Sequence, residues 1–590
     1  MARGEFRLRA YFSQTVLVML LALSACSAPE EEAPSGPLII SVIGTNDVHG
    51  SLSARPGQGG LATFSGYVTA IRIARAADGG EVMLIDAGDM WQGTLESNLS
   101  EGATVTEAYN ALDYAAATIG NHEFDFGPVG PSATPQSNTD DARGALKQRA
   151  LQAHFPLLAA NLIDTSTDLP VDWLNVQPST LLEVAGIKVG IIGVMTEYAL
   201  IMTIAANIQG LRVAPLVASI ANEAAALREK GASLVIVAAH AGSRCLDFSD
   251  PLDLSSCDQS EEIMRVANAL PPGLVDHIVA GHTHRQVAHI VNGISITSNT
   301  GNATSFGRVD FFFDRDTLAA TGRKVFPPQQ ICAFVDTLTG QCAAAEDDSE
   351  TVIAARYENE PIFANRVISA IAKKAAGRVE EKKAQKLGPF LETAITLNNQ
   401  PESALGHLMT NALLQSMDAD IAIHNVSGGI RANLPQGELT YGDVFTMFPF
   451  DNRVVVLELS GAELRRVIAH QVERGSRLAG LSGMRVFVDC SKNNMDISMR
   501  RMDGGDIGDN DTVRVVVNDF LVLGGDDILT VITPEGGIPY SSDLPMVRDV
   551  LVKWFGKQKN ALRADQFLGE EHRRWHLPDP VPQECVFTAT

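Results

Sequence analysis

The sequence has no long basic run, no Cys-x-x-Cys pair and no apolar stretch that comfortably reaches the length of a membrane-spanning helix. Its formal net charge is −24, so the overall field of the protein does not attract DNA or RNA. The absence of Cys-x-x-Cys argues against a zinc site built from thiolates. An acidic protein that takes an anionic substrate needs local cations, which bound metal ions or clustered arginines would have to supply.

The first 25 residues have the pattern of a signal peptide. Three arginines within the first nine residues precede the apolar stretch TVLVMLLALSA at 15–25. The end of this stretch, where Cys26 follows Leu-Ser-Ala, resembles a bacterial lipobox and predicts a lipid on Cys26, with 26–37 as an acidic tether. We expect a protein of the bacterial cell envelope or periplasm that is anchored through Cys26. The alternative is an ordinary secretory signal with an incidental cysteine.

Six further cysteines indicate disulfides, because their number is even and the protein is expected to be exported. They are Cys245, Cys257, Cys332, Cys342, Cys490 and Cys585. The short spacings favour the pairs 245–257 and 332–342, which leaves 490–585 as the third pair.

Alternating strand and helix patterns predict an α/β fold. Short apolar, β-branched runs indicate strands that are buried on both faces. They lie at 38–43, 81–85, 117–119, 188–194, 234–239 and 277–280. Helical patterns at 63–77 and 215–230 lie between some of these runs, which is typical of α/β layering.

The length of 590 residues exceeds what one hydrophobic core usually holds, so more than one domain is expected. The composition changes after about residue 345: the segment 343–386 is polar, charged and helix-prone, and is predicted to be a connecting helix. A second, mixed α+β segment follows over 387–590, with an amphipathic helix predicted at 403–417.

Five of the predicted strands end at clusters of Asp, His or Asn beside a glycine. The clusters lie at 45–50, 86–89, 120–123, 240–242 and 281–284. Any one of them alone is usually a turn with a solvated side chain. Open α/β sheets build their sites at the carboxyl ends of strands, so five such ends together predict a functional site. Asp, Asn and imidazole ligands without Cys suit Zn²⁺, Mn²⁺, Fe²⁺ or Co²⁺.

The blocks TNDVHG, DAGD, GNHEFD, AAHAG and GHTH resemble, in this order, those of the calcineurin-like metallophosphoesterases. More narrowly, the chain is similar to the bacterial and animal 5′-nucleotidase and UDP-sugar hydrolase family. The resemblance implies a four-layer α/β/β/α metallophosphoesterase domain over 38–342. The segment 343–386 would then be the linker, and 387–590 the substrate-binding 5′-nucleotidase C-terminal domain.

The same resemblance implies two divalent metal ions and seven protein ligands. One ion would be held by Asp47, His49, Asp89 and His284, and the other by Asp89, Asn121, His240 and His282, with Asp89 bridging. His122 is then left over as a catalytic group, paired with Asp125. A carboxylate beside an imidazole orients the ring and raises its pKa. Glu123 and Phe124 receive no role.

The stretch NVSGGIRANLPQGELTYGDVFTMFPFDN at 425–452 is very similar to the substrate-binding signature of the family. It implies that Arg431 binds phosphate, that Phe450 and Phe520 stack on a nucleobase, and that Asp526 faces the ribose. The alternative for the two phenylalanines is that they belong to the hydrophobic core.

Three departures from the family pattern leave the exact substrate open. Pro401 stands where a second phosphate-binding arginine is usual, and Val426 where an asparagine is common, although the adjacent Asn425 can substitute for it. Asp527 adds a carboxylate in Gly-Gly-Asp-Asp, where the family has Gly-Gly-Asp-Gly.

The expected function is hydrolysis of nucleotide phosphate esters by metal-activated water. Alternatives with the same two-domain plan are a 2′,3′-cyclic nucleotide phosphodiesterase, a nucleotide-sugar or dinucleotide pyrophosphatase, and a relative of the thiosulfohydrolases. A lipoprotein that only binds ligands at the cell surface is the alternative without catalysis.

Overall fold

The structure is a computed structural model that describes residues 36–53, 59–344, 350–397, 402–474, 478–491, 494–534, 538, 540 and 544–578. The predicted signal peptide, Cys26 and most of the tether lie outside these residues, as do Pro401 and Cys585. Within the described helices, none is both long and apolar enough to cross a membrane.

Two large sheets form the N-terminal part. In spatial order, the strands of the first sheet are Ala320–Val325, Ser305–Phe313, Leu38–Thr45, Glu81–Asp86, Tyr114–Thr118, Leu157–Leu158 and Val176–Gln177, and Gln329–Gln330 pairs with Ser305–Phe313. Those of the second sheet are Val287–Val291, Ile294–Ser298, His277–Ala280, Leu234–His240, Ile187–Met195 and Ser179–Val184. Within each sheet the central strands run parallel, so their carboxyl ends lie at the same edge of that sheet.

The two sheets pack face to face and carry helices on their outer faces. Between them lies an apolar cluster that includes Ile40, Ile85, Val189 and Ile236. The first sheet is covered by Leu61–Asp78, Ala103–Leu112 and Gly144–Gln152, and the second by Leu216–Glu229 and Glu262–Ala269. The four-layer α/β/β/α architecture is thus confirmed.

The segment 343–386 is not one continuous helix, and this prediction was wrong in extent. The helix covers only Arg366–Lys383. Short strands precede it at Val352–Ala354, Arg356–Tyr357 and Glu360–Pro361. Pro361 lies in the last of these strands, and proline lacks a backbone donor and disfavours the helical conformation in the residue before it. The helix begins where the side chain of Asn365 accepts a hydrogen bond from the backbone N–H of Val367.

The C-terminal part is built on a four-stranded sheet with the order Val454–Ser460, Thr512–Asn518, Ile421–His424 and Gly480–Ser482. Helices Ala404–Ser416, Tyr441–Met447 and Val547–Phe555 share one apolar cluster with it, and Gly461–Arg474 shares another. The helix predicted at 403–417 is confirmed, with its apolar positions buried. The mixed α+β character predicted for this part is confirmed as well.

Smaller elements complete the described chain. The remaining strands are Leu162–Asp164, Leu169–Pro170, Leu211–Val213, Phe334–Asp336, Cys342–Ala343, Lys386–Leu391, Gly437–Thr440, Met484–Ser491, Asn494–Arg501 and Trp575–His576. The remaining α-helices are Leu95–Asn98 and Asp519–Val522. Short 3₁₀ turns lie at His122–Phe124, Ala199–Met202, Ala205–Asn207, Gly525–Asp527, Thr530–Ile532, Ala564–Gln566 and Glu570–His572.

Two of the predicted disulfides are present, Cys245–Cys257 and Cys332–Cys342. The third pairing stays a prediction, because Cys585 lies outside the described residues.

Candidate active site

The loops after five parallel strands bring the predicted metal ligands into two adjacent clusters. The first cluster consists of Asp47, His49 and His284, and the second of Asp89, His240 and His282. Within each cluster the potential ligand atoms lie within 4.8 Å of one another. Asn121 joins the second cluster, since its Oδ1 lies 3.0 Å from Nε2 of His240 while its Nδ2 donates to the carbonyl of Met202.

Most of these side chains come from a strained backbone. The residues with a left-handed conformation are Asp47, His49, Asp89, His282 and His284, with φ between 48° and 72°. Residues other than glycine rarely adopt this region, and they stay there only where the surrounding structure imposes it. The strain accompanies the sharp turns that direct the five side chains toward one point.

The two carboxylate oxygens of Asp47 have different surroundings. Oδ2 accepts hydrogen bonds from Nδ2 of Asn46 at 2.6 Å and from the backbone N–H of His282 at 2.9 Å. Oδ1 is buried and has no hydrogen-bond partner among the described residues, and Nε2 of His284 lies 3.3 Å from it. A buried carboxylate oxygen without a donor is costly unless a cation pairs with it.

Main-chain carbonyls set the orientation of two ligand imidazoles. Nδ1 of His49 lies 2.7 Å from the carbonyl oxygen of Gln92, and Nδ1 of His240 lies 2.8 Å from that of Ala87. Since a carbonyl can only accept, Nδ1 is the protonated atom in both rings and Nε2 is the atom available to a metal. Nε2 of His49 lies only 3.1 Å from Nε2 of His284.

Asp89 lies between the two clusters. Its Oδ2 is 3.2 Å from Nε2 of His240 in the second cluster and 4.0 Å from Nε2 of His49 in the first. Its Oδ1 accepts a hydrogen bond from the backbone N–H of His122 at 2.9 Å. The position fits the bridging role that the family resemblance implies.

Burial and neighbouring imidazoles keep two of the histidines neutral. Burial, together with the proximity of His284, lowers the pKa of His49 well below its ordinary value. Burial and the proximity of His240 lower the pKa of His282 to about 3. Neutral imidazole is the form that binds a cation. The Asp47 oxygen without a hydrogen-bond donor, the lone pairs of the neutral imidazoles and the thiolate-free donor set therefore fit divalent metal ions.

His122 lies beside the clusters and is held by a carboxylate. Its Nδ1 is 2.6 Å from Oδ2 of Asp125, and the hydroxyl of Thr203 donates to Oδ1 of Asp125 at 2.9 Å. Burial lowers the pKa of His122, but the carboxylates of Asp125 and Asp89 more than offset this, so the net pKa is raised. Asp125 occupies Nδ1, and this leaves Nε2 as the atom that faces the cavity.

Arg431 reaches His122 from the C-terminal part of the chain. Its Nη2 lies 3.0 Å from Nε2 of His122, and its guanidinium lies over the ring of Phe450, 5.2 Å from the centroid. Phe450 also stacks on the imidazole of His122, with ring centroids 5.7 Å apart. A guanidinium is always cationic and presents several donors, which suits it to a phosphate beside the clusters.

A cavity of about 970 Å³ contains these groups and the other predicted substrate residues. Its wall includes Phe450, Phe520, Asp526 and Asn425 together with ligands of both clusters. Nδ2 of Asn425 donates to Oδ2 of Asp526 at 2.7 Å, while its Oδ1 accepts from Asn518 at 3.0 Å. Asn425 therefore orients Asp526, a contact that the sequence did not predict.

The additional carboxylate of Asp527 turns away from the cavity. Its Oδ2 lies 3.1 Å from Nε2 of His470 on the helix Gly461–Arg474, and its Oδ1 accepts from the hydroxyl of Thr530. Asp526, by contrast, lines the cavity wall. Asp527 therefore fixes the loop to that helix and does not add a carboxylate to the wall.

Glu123, which received no role from the sequence, connects two loops of the site. Its buried carboxylate accepts hydrogen bonds from the backbone N–H groups of Asp89 at 2.9 Å, Met90 at 2.7 Å and Gly120 at 2.7 Å. It thereby ties the loop that carries the bridging Asp89 to the loop that carries Asn121. No spacing in the sequence indicates this contact, because it depends on how two strand ends meet.

Two family models match the chain. The calcineurin-like phosphoesterase model matches residues 40–286, and the model of the 5′-nucleotidase C-terminal domain matches residues 376–533. The first range contains all seven predicted metal ligands, and the second contains Arg431, Phe450, Phe520 and Asp526. The chain is a calcineurin-like phosphoesterase with a 5′-nucleotidase C-terminal domain.

Known proteins resemble the phosphoesterase over most of its length. Protein UshA of Yersinia enterocolitica is 25% identical over 82% of this chain and 86% of its own. Endonuclease YhcR of Bacillus subtilis is 26% identical over 84% of this chain, but that match covers only 37% of YhcR. The crystal structure of a 5′-nucleotidase precursor from Thermus thermophilus has a TM-score of 0.68 at 21% identity, over 91% of this chain and 99% of that one, which shows a shared fold.

The family and the geometry together make the phosphoesterase a metal-dependent phosphohydrolase. Its cavity is lined by candidate ligands for divalent metal ions, together with an imidazole and a guanidinium.

Proposed function

We propose that the phosphoesterase hydrolyses nucleoside 5′-monophosphates to the nucleoside and phosphate. The observation that carries the proposal is the 3.0 Å contact between Nη2 of Arg431 and Nε2 of His122, directly beside the second cluster. A guanidinium can only donate, so Nε2 of His122 accepts in this contact. Once His122 is protonated, both groups are donors that can face a phosphate. Phe450 and Phe520 lie in the same cavity, where a base can stack on aromatic rings.

The proposed site holds two divalent cations. Asp47, His49 and His284 would bind one, Asn121, His240 and His282 the other, and Asp89 both. When bound, such ions withdraw charge from phosphoryl oxygens and lower the pKa of water, so that hydrolysis proceeds near neutral pH. The ligands that the carbonyls of Gln92 and Ala87 orient would keep the ions at fixed positions.

His122 and Asp125 are the proposed catalytic pair. Asp125 would hold the imidazole by Nδ1 and favour its protonated form, so that Nε2 can donate a proton to the departing ester oxygen. Arg431 would bind the non-bridging phosphate oxygens and balance charge that develops on them.

The remaining cavity residues would recognise the nucleoside. Phe450 and Phe520 would enclose the base, and each stacked ring contributes roughly 1–3 kcal/mol in comparable sites. Asp526, oriented by Asn425, would accept hydrogen bonds from ribose hydroxyls. This aromatic pair favours a nucleotide over the thiosulfate-derived substrates of the thiosulfohydrolase relatives.

The two disulfides support export to an oxidising compartment. We also propose a lipid on Cys26. The proposed domain boundaries are 38–342 for the phosphoesterase domain, 343–386 for the linker and 387–590 for the C-terminal domain.

A substrate panel tests the proposal. Metal-loaded protein would be assayed on AMP, UMP, 2′,3′-cyclic AMP, a UDP-sugar, NAD and 4-nitrophenyl phosphate. We expect the highest kcat/KM on a nucleoside 5′-monophosphate. We also expect Phe450→Leu to reduce the advantage of that substrate over 4-nitrophenyl phosphate. The highest kcat/KM on the cyclic nucleotide would instead indicate a cyclic nucleotide phosphodiesterase. The highest kcat/KM on the UDP-sugar or NAD would instead indicate a pyrophosphatase. No turnover of any phosphoester with Mn²⁺, Zn²⁺ or Co²⁺ would refute the hydrolase.

A further inference from the structure

Gln92 lies between the metal ligands and the proposed base-binding ring. It is three residues after Asp89, and its side chain is buried, with 2% exposure. Its main-chain carbonyl accepts the hydrogen bond from Nδ1 of His49 at 2.7 Å. Its side-chain Nε2 donates to the carbonyl of Pro449 at 3.1 Å. One residue therefore contacts both a predicted metal ligand and the residue that precedes Phe450.

A second amide converges on the same carbonyl. Asn98, the last residue of the helix Leu95–Asn98, donates from Nδ2 to the carbonyl of Pro449 at 3.3 Å. Its Oδ1 accepts from the backbone N–H of Gly93 at 2.9 Å. The orientation of this amide is therefore fixed from both ends. Gln92 and Asn98, called here the amide pair, lie 357 and 351 residues before Pro449.

The carbonyl that the amide pair binds sets the position of Phe450. This carbonyl belongs to the peptide unit that joins Pro449 to Phe450, and that unit is planar, so fixing it fixes the point from which Phe450 departs. The ring of Phe450 in turn contacts the imidazole of His122 and the guanidinium of Arg431. A displacement of about 1 Å at a substrate-positioning group is enough to cost a large factor in rate.

We propose that Gln92 and Asn98 are positioning residues that set Phe450 relative to the metal centre and so determine the preference for nucleoside phosphates over phosphate esters without a base. This inference rests on the proposed function, because it assigns Phe450 to the base. The amide pair acts through Pro449 and Phe450, and its side chains take no part in the proton transfer or in metal binding.

A positioning role and a purely structural role of the amide pair have different consequences. If the pair only held the loop 89–98 in shape, its loss would disturb the metal ligands and impair all substrates alike. Gln92 contacts His49 through its main-chain carbonyl, which substitution of the side chain leaves in place. Its side chain contacts only the Pro449 carbonyl by hydrogen bonding among the described residues, since Oε1 has no partner there.

Gln92→Met tests the positioning role, because methionine keeps the length of the side chain and removes its donor. Asn98→Asp is the second variant; it keeps the acceptor for Gly93 and removes the donor to Pro449. We expect each variant to lose about fivefold more kcat/KM on AMP than on 4-nitrophenyl phosphate, the worth of one hydrogen bond. The loss should appear mainly in KM for AMP, and metal content by elemental analysis should equal that of the wild type.

Gln558→Met is the matched control. Gln558 also donates from Nε2 to a main-chain carbonyl, that of Trp554 at 3.1 Å, but it does not line the cavity. Its ratio of AMP to aryl phosphate activity should stay at the wild-type value.

Four outcomes would count against the positioning role. Equal losses on both substrates, or loss of metal in Gln92→Met, would mean a structural role and overturn the inference. An unchanged substrate ratio in both amide variants would overturn it while the proposed function stands. A wild type that turns over 4-nitrophenyl phosphate without any preference for a nucleotide would refute the proposed function and, with it, the role of Phe450 on which the inference depends.

Discussion

His122 and Glu123 are neighbours in the chain, yet their side chains act on opposite sides of the loop. The imidazole of His122 faces the cavity and Arg431, whereas the carboxylate of Glu123 is fully buried beneath the loop and accepts three backbone N–H groups. The 3₁₀ turn His122–Phe124 separates the two directions. Substitutions at these two positions should therefore affect different properties.

We expect His122→Ala to retain its metal ions and to lose turnover by roughly 10²–10⁴-fold, the usual contribution of a general acid or base. The metal ligands keep their contacts in this variant, because it is the backbone N–H of His122, not its side chain, that donates to Asp89. Elemental analysis and steady-state kinetics on the same preparation measure the two effects. Loss of a metal ion from His122→Ala would instead make His122 a ligand.

For Glu123→Gln we expect weaker metal binding, whereas His122→Ala should retain its metal ions. A carboxamide places an NH₂ group against at least one of the three backbone donors, so the loop that carries Asp89 loses a partner. Loss of such an outer partner typically weakens metal binding by about 10–100-fold. A metal titration followed by calorimetry measures it. Wild-type metal affinity would show that the loop keeps its position without this carboxylate.

His122 and Glu123 also show which kinds of site residue the sequence could identify and which it could not. The resemblance assigns the seven ligands and leaves His122 over as a catalytic group; the structure shows that His122 lies beside the clusters, and its role stays a prediction. Glu123, Gln92 and Asn98 carried no signal. Their partners are backbone groups, several of them in distant segments, and a side chain that binds a backbone group leaves no residue type to recognise.

Among the elements, the ends of the strands matter most for the site. The apolar runs predicted the six strands well, because strands buried on both faces have few polar positions. The left-handed turns that follow them were not predictable, since only a few per cent of non-glycine residues adopt that conformation, even though aspartate and histidine do so more often than most. In the connecting segment the polar composition suggested a helix throughout, but Pro361 and the cap at Asn365 limit it to Arg366–Lys383.

Gly120 tests how closely two of these strand ends approach each other. A Cβ atom at Gly120 would lie 2.3 Å from Oδ1 of Asp89 and 2.7 Å from its backbone nitrogen. We expect Gly120→Ala to displace Asp89 and to lower metal content, as measured by elemental analysis, together with activity. The reason is steric: one contact is with the backbone nitrogen of Asp89, and the other is with Oδ1, which the backbone N–H of His122 holds in place.

Gly377→Ala is the matched control for that substitution. Gly377 lies inside the helix Arg366–Lys383, and an added Cβ would meet nothing within 4 Å. Alanine should stabilise this helix by about 0.5–1 kcal/mol and leave metal content unchanged. If Gly120→Ala behaves like Gly377→Ala, the close approach at Asp89 does not constrain the site.

Across the whole molecule, the site combines residues from distant parts of the chain. Arg431 and His122 are 309 positions apart, and their contact could not be read from local patterns. The resemblance predicted that both belong to one site, but the geometry comes from the packing of the C-terminal part against the loops of the first two sheets. The cavity is the product of that packing, so its shape depends on both parts being in place.

Metal removal should destabilise the whole protein. Asp47 and Asp89 are buried carboxylates, and without metal ions their charge is balanced by the surrounding imidazoles, the guanidinium of Arg431 and hydrogen-bond donors. An ion that binds the folded chain alone stabilises it by about 2.7 kcal/mol when its concentration is 100 times its Kd. We therefore expect a chelator, under non-reducing conditions that keep both disulfides, to lower the Tm by several degrees in a calorimetric scan.

Asp89→Asn provides the control for the chelator experiment, because it removes the carboxylate that lies between both clusters. In this variant the Tm should start closer to that of the metal-free wild type and should change less when the chelator is added. Readdition of Mn²⁺ or Zn²⁺ should restore the Tm of the wild type only. If the chelator shifts both proteins equally, its effect does not arise at these clusters, and the ligand assignment at Asp89 would have to be abandoned.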